Sequence, residues 1–179
     1  MTGASNPATW TLPKILIDRD GVWFADGGEV THPGILANLV DNLRVDAQGH
    51  HLQVGPARVP VEVEDAPFVV VRVEPEGDGA VLTLSDLTRE PLDVATLVLG
   101  PGEIPYSRVK GGRFLARWSR AATWELLQHV EPDAGASAPT LVLGGLRRAI
   151  PQVDRAAIGL GGERNAAPPE APPPPPAPG

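Results

Sequence analysis

Residues 15–24 read Ile15-Leu16-Ile17-Asp18-Arg19-Asp20-Gly21-Val22-Trp23-Phe24, two apolar runs separated by Asp-Arg-Asp-Gly. The fold turns on how those four residues are read. They are good turn chemistry: Asp side chains hydrogen-bond backbone two residues on, and Gly supplies a positive φ. Val22-Trp23-Phe24 then resumes at once, as a returning strand would. Asp18 to Gly21 is therefore expected to close a β-hairpin between strands ending near Ile17 and starting near Val22. The competing reading is catalytic, with Asp18 as a carboxylate nucleophile and Asp20 as the general acid two residues on. That pair would sit at the carboxyl end of a buried parallel strand, with a loop and a helix next.

The same residues resemble the first motif of haloacid-dehalogenase-type phosphatases. Such an enzyme also needs a later Ser or Thr after a strand, a Lys, and a second acidic pair for magnesium. Ser85-Asp86 and Lys110, one of only two lysines, supply fragments, but no second acidic pair follows a helix and β-α alternation is missing. The hairpin is the better reading, and no enzyme activity is expected. A phosphohydrolase using Asp18 and Asp20 stands as the alternative. An EF-hand fits less well, because its third ligand position and terminal Glu are absent.

Outward from this stretch, composition sets the bounds. The chain has 179 residues, 42% of them apolar, a net charge of -7 and no Cys. That is enough for one medium domain or two halves sharing a core. It excludes disulfides and thiolate zinc sites, and the acidic balance argues against nucleic-acid backbone as a partner. No signal peptide is visible in MTGASNPATW, and no apolar run reaches the roughly 20 residues of a membrane span. A cytoplasmic protein is expected, with no membrane association, cofactor or metal. Protein partners and oligomeric state are not legible.

Residues 1–11 read as a flexible arm and 154–179 as a Gly/Pro-rich tail ending AAPPEAPPPPPAPG, with little to bury. Between them an N-terminal half (12–68) and a C-terminal half (69–153) are expected. Thr31-His32-Pro33 opens a helix whose Ile35, Leu36, Leu39, Val40 and Leu43 share one face. A second helix is expected over 112–130, with Phe114, Leu115, Trp118, Ala122 and Leu126 on one side. Strands are expected at 58–63, 68–73, 82–84, 97–99 and 141–143, and hairpins at 50–63 and 140–150. Each half then reads as strands, one helix and a short hairpin. The fold class is α+β, mostly antiparallel sheet in two halves with a repeated strand-helix-hairpin motif.

Three places invite chemistry. His50-His51 suggests a metal, but adjacent strand residues point to opposite faces, so an edge-strand pair is the simpler reading. Glu62 and Glu64 share a strand face, with Asp65 next to them, but have no visible catalytic partner. The strongest local signal is YSRVKGGRFLARWSR, Tyr106 to Arg120, five basic residues without an acid. If a helix starts at Gly111-Gly112, its N–H groups and dipole can meet an anion. Arg113, Arg117 and Arg120 then form a stripe with Trp124, a ring suited to stacking. The competing reading is a charged helix face paired with acidic strands.

Taken together, Ile17-Asp18-Arg19-Asp20-Gly21-Val22-Trp23, Val63-Glu64-Asp65-Ala66-Pro67-Phe68 and Pro105-Tyr106-Ser107-Arg108-Val109-Lys110-Gly111-Gly112 resemble a bacterial family known as domain of unknown function 1285. Trp124-Glu125-Leu126-Leu127 completes the likeness, which covers about residues 12–151. It implies a two-part α+β fold whose C-terminal half looks superficially like a pleckstrin-homology barrel. It also implies a role in ligand sensing for signal transduction, with a nucleotide-like ligand between the halves. The chain departs from the family near Ala121, where a proline is frequent, and in its less aromatic last hairpin. The expected ligand is small and anionic, on Tyr106, Arg108, Lys110, Gly111, Gly112, Arg113, Arg117 and Trp124. Asp18, Asp20, Trp23, Glu64, Asp65 and Phe68 are candidates for lining the interface between halves. A protein-interaction adaptor is the further alternative.

Overall fold

The computed structural model describes residues 12–131 and 138–159. The arm at 1–11 and the tail beyond 159 lie outside the described residues. Two six-stranded sheets form the body. The first holds β1 (Ile15–Ile17), β2 (Trp23–Ala25), β3 (Gly28–Glu29), β4 (Leu43–Asp46), β5 (Gly49–Val54) and β6 (Ala57–Val63), in the order β3-β2-β1-β6-β5-β4. The second holds β7 (Phe68–Glu76), β8 (Gly79–Leu84), β9 (Arg89–Pro91), β10 (Val98–Leu99), β11 (Pro105–Val109) and β12 (Phe114–Trp118), in the order β10-β11-β12-β7-β8-β9. A small sheet joins β13 (Val130–Glu131), β14 (Thr140–Leu143) and β15 (Leu146–Ala149). The helices are α1 (Pro33–Asn42), α2 (Arg120–Leu127) and α3 (Arg155–Ile158). The fold is thus α+β with mostly antiparallel sheet; among the described strands, only β1–β6 and β7–β12 pair in parallel.

The opening stretch is a hairpin. Ile17 stands opposite Trp23, the Asp18 N–H donates to the Val22 carbonyl at 3.0 Å, and the Gly21 N–H donates to the Asp18 carbonyl at 3.1 Å. The Asp18 carboxylate also accepts from the N–H groups of Asp20 and Val22, both at 2.9 Å. Gly21 has φ 79°, and a Cβ there would stand 3.0 Å from Val69 and 3.1 Å from Ser85 of the second sheet. Both positive φ and close approach require glycine. β2, not a loop and a helix, comes directly after β1, unlike the setting a dehalogenase-type nucleophile needs.

In α1, His32 is the cap: its Nδ1 accepts from the Gly34 N–H at 3.2 Å, with Pro33 leading the helix. Leu36, Leu39 and Val40 pack on the core, but Ile35, expected on the same face, is 52% exposed. It lies in the first turn, and contact with the core begins one residue later. Leu43 is buried as the first residue of β4, not on the helix.

The second expected helix is wrong over its first half. Phe114–Trp118 is a central strand, paired with β11 on one side and β7 on the other. A short apolar run satisfies helical spacing and a buried strand equally. The helix starts only where the Ser119 hydroxyl accepts from the Ala122 N–H at 3.1 Å. Gly111 and Gly112, at φ 67° and 82°, belong to the β11–β12 turn, not to a helix start.

One continuous core, including Ile17, Trp23, Leu43, Phe68, Val70, Leu82, Leu84, Trp118, Leu126 and Leu141, spans both large sheets. The histidine pair lies on β5, an internal strand between β6 and β4, so the edge placement was wrong. His51 is buried, and His50 stacks on Phe114 of the other sheet with ring centres 6.3 Å apart. Burial, and secondarily the charge of His51, pushes the His50 imidazole below its ordinary 6.5. The unfolded chain then binds this proton more readily than the folded one, so stability is lost as pH falls below about 6.5. Denaturant melts across that range should slope less steeply in His50→Gln than in wild type; parallel curves would refute the assignment.

Candidate functional site

The residue types singled out by the sequence separate into three places. One is a groove of about 490 Å³ between α2, the end of β12 and the segment 102–105. Ser119 positions it: by ending β12 and capping α2, it sets Arg117, next to last in the strand, and Arg120, first in the helix, on one wall. Trp124 and Leu127, one and two turns further along α2 and 66% and 51% exposed, line it too, with Ile104. Glu103 is the acid at its rim. Among the described residues Arg120 has no ion-pair partner. A free guanidinium beside an exposed indole face offers charge at one end and a flat apolar surface at the other.

Arg117 is held from behind. Its Nε lies 3.1 Å from Asp65 Oδ2, an ion pair without hydrogen-bond geometry, and its Nη1 donates to the Arg19 carbonyl at 3.3 Å. The Tyr106 hydroxyl donates to the same Asp65 oxygen at 2.9 Å. Burial, then the bond and charge of Asp65, raises the Tyr106 phenol to about 12, so it stays a donor at neutral pH. The other Asp65 oxygen, Oδ1, is buried with no hydrogen-bond partner among the described residues.

A second groove, about 430 Å³, lies at the β1–β2 hairpin and is lined by Lys14, Leu16, Asp18, Arg19, Asp20, Phe24 and Glu64. Leu16 and Phe24 stand opposite each other on the outer face of the first sheet. The Arg19 N–H donates to Glu64 at 3.3 Å. Arg19 is thus shared: its side of the hairpin lines this groove, while its carbonyl is bonded by Arg117 from the other.

The third place is Lys110, which does not join the others. Its ammonium lies 2.7 Å from Asp86, bonds the Thr88 hydroxyl, and sits 5.2 Å over the Phe68 ring. Asp86 is raised by burial but lowered more by the bonds from Lys110 and Thr88, and ends below the usual carboxylate range. Arg113 donates to the Lys110 carbonyl and Arg108 to the Ile158 carbonyl. The expected Arg113/Arg117/Arg120 stripe therefore does not exist: the three occupy a turn, a strand and a helix start. Trp23 and Phe68 are buried in the core that spans both large sheets. Arg19, Glu103 and Ile104 were not anticipated. Arg19 lay inside the quoted motif, but a role played through its carbonyl leaves no mark in residue type.

No family model and no curated relative matches the chain. Two solved structures do. One, from Silicibacter pomeroyi, is 23% identical, covers 84% of this chain and 89% of its own, and has a TM-score of 0.64. The other, from Shewanella baltica, is 19% identical, covers 65% of this chain and 91% of its own, and has a TM-score of 0.56. Both are described as DUF1285 family proteins. The likeness carried by the sequence motifs is matched in three dimensions: this chain has the fold of the domain-of-unknown-function 1285 proteins. No helix among the described residues is long and apolar enough to cross a membrane.

Proposed function

We propose that this chain is a non-enzymatic binding protein for a small anionic, nucleotide-like ligand, acting in signal transduction. The observation that carries the reading is the groove in which Arg117, the unpaired Arg120 and the exposed Trp124 ring face one space. An anionic group would sit between the two guanidiniums, and a base would lie on the indole. On this reading the two halves repeat one strand-helix-hairpin unit, built around the two large sheets, the second unit completed by α2 and the β14–β15 hairpin. Each has a parallel pair at its centre, the second is pleckstrin-homology-like, and the ligand sits close to their seam. Lys110, Gly111 and Gly112 then support the second sheet instead of touching ligand.

Thermal-shift and calorimetric titration with adenosine monophosphate and inorganic phosphate test this. Both should stabilise wild type. Arg120→Ala should weaken them by about 1.5–3 kcal/mol, the range for a lost hydrogen bond to a charged group. Trp124→Ala should cost the nucleotide and spare phosphate. If no anion stabilises wild type, the reading falls. The phosphohydrolase alternative predicts magnesium-dependent phosphate release that Asp18→Asn abolishes. It gains nothing from a carboxylate already bonded to two backbone N–H groups in a turn. The exposed Trp124 and Leu127 also suit a protein partner; there, Trp124→Ala would abolish partner capture while anion binding was never observed.

A further inference from the structure

We propose that Arg117 couples the groove to the Asp18–Gly21 hairpin of the other sheet, so that an anion bound beside α2 loosens that hairpin. This rests on the groove reading above. Arg117 lines the groove, and with Nη1 it holds the Arg19 carbonyl from across the seam between sheets. Its two anchors are unequal. The Asp65 contact is an ion pair at 3.1 Å, with a carboxylate that Tyr106 also fixes. The Arg19 contact is a bond to a neutral carbonyl at 3.3 Å, long for its kind.

A phosphate or carboxylate oxygen in the groove offers Nη1 a charge-assisted bond, shorter and roughly twice as strong as a neutral one. The guanidinium can take it by turning about the Nε–Asp65 contact, giving up only the weaker anchor. That difference between the free and bound states is what a ligand needs in order to shift an equilibrium. The released carbonyl belongs to the four-residue turn that lines the second groove. What remains holding the turn is its own Asp18 and Gly21 N–H bonds, the Asp18 carboxylate bonds to the Asp20 and Val22 N–H groups, the Arg19–Glu64 bond, and the close fit of Gly21 on Val69 and Ser85. Occupancy of one groove therefore changes the shape of the other, and the two are linked reciprocally.

Amide hydrogen exchange of Asp18 and Gly21, followed by NMR with and without adenosine monophosphate and inorganic phosphate, tests the coupling. In wild type either anion should speed exchange at both amides several-fold. Arg117→Gln should show that faster exchange without any anion. Arg117→Lys keeps a charge for the anion but cannot span both contacts, so it should bind with reduced affinity and show no further change at the hairpin. Arg120→Ala should weaken binding and leave the unliganded hairpin as in wild type. If the anions bind wild type but the two amides do not respond, or if Arg117→Gln leaves them unchanged, the coupling is wrong and the groove reading stands. If neither anion binds wild type, both fall.

Discussion

Trp118→Ala is expected to destabilise the protein by about 3–5 kcal/mol, the range for truncating a large buried aromatic. Trp118 is 1% exposed on the last position of β12, opposite Val70 of the parallel neighbour β7. Removing the ring opens the continuous core where the second sheet meets α2. It also strands a polar group. The indole Nε1–H donates to the Ser107 hydroxyl at 3.1 Å, and Ser107 is fully buried on β11. A buried hydroxyl without its partner adds to the cavity cost. Trp118→Phe separates the two contributions, since it keeps most of the ring and loses the N–H; it should cost clearly less than Ala. Equilibrium urea unfolding reads both. A loss under about 1 kcal/mol for the alanine variant would mean that the strand packs without this side chain, far below the usual range for such a truncation.

Trp118 also shows what sequence patterning could and could not reveal. Its burial was legible; its secondary structure was not. Phe114, Leu115 and Trp118 share a helical face with Ala122 and Leu126, and the same residues make a five-residue central strand followed by a capped helix. Two local signals pointed to the strand: the Gly111-Gly112 pair immediately before it and Ser119 as a helix cap immediately after it. The Asp18–Gly21 hairpin was readable because turn chemistry is local. So were most of the strands, bounded as they are by Gly, Pro and Asp. The groove was readable only in part. Arg117 and Trp124 could be picked out as a base and an aromatic in a basic segment, though the continuous helix that was meant to align them is absent. The pairing of Arg117 with Asp65 and with the Arg19 carbonyl spans distant parts of the chain, and no spacing rule reaches that far. Lys110 was misread for a related reason: its partners, Asp86 and Thr88, follow β8, which is separated from β11 by two strands of the second sheet.

Lys110→Ala should therefore cost about 3 kcal/mol of stability and leave anion affinity unchanged. The Lys110 and Asp86 side chains are 17% and 10% exposed, so this is a largely buried pair. Removing one partner leaves the other charge desolvated, which costs about 3–5 kcal/mol in fully buried pairs. The lower end applies here because Asp86 keeps its bonds from the Thr88 hydroxyl and N–H. Acid melts supply a second readout. Folding holds the Asp86 carboxyl below its ordinary 3.8, with the Lys110 and Thr88 bonds outweighing burial. The stability this represents is present above that value and is lost as pH falls through the lower, folded-state value. Without Lys110, burial opposes the charge with less to offset it, so the variant should lose this part of its acid-limb slope and carry its deficit at neutral pH. Lys110→Met, which keeps an unbranched apolar side chain beside Phe68, should recover packing and none of the charge pairing. A Lys110→Ala protein as stable as wild type but unable to bind adenosine monophosphate would overturn the structural role and move the ligand from the α2 groove to the β11–β12 turn.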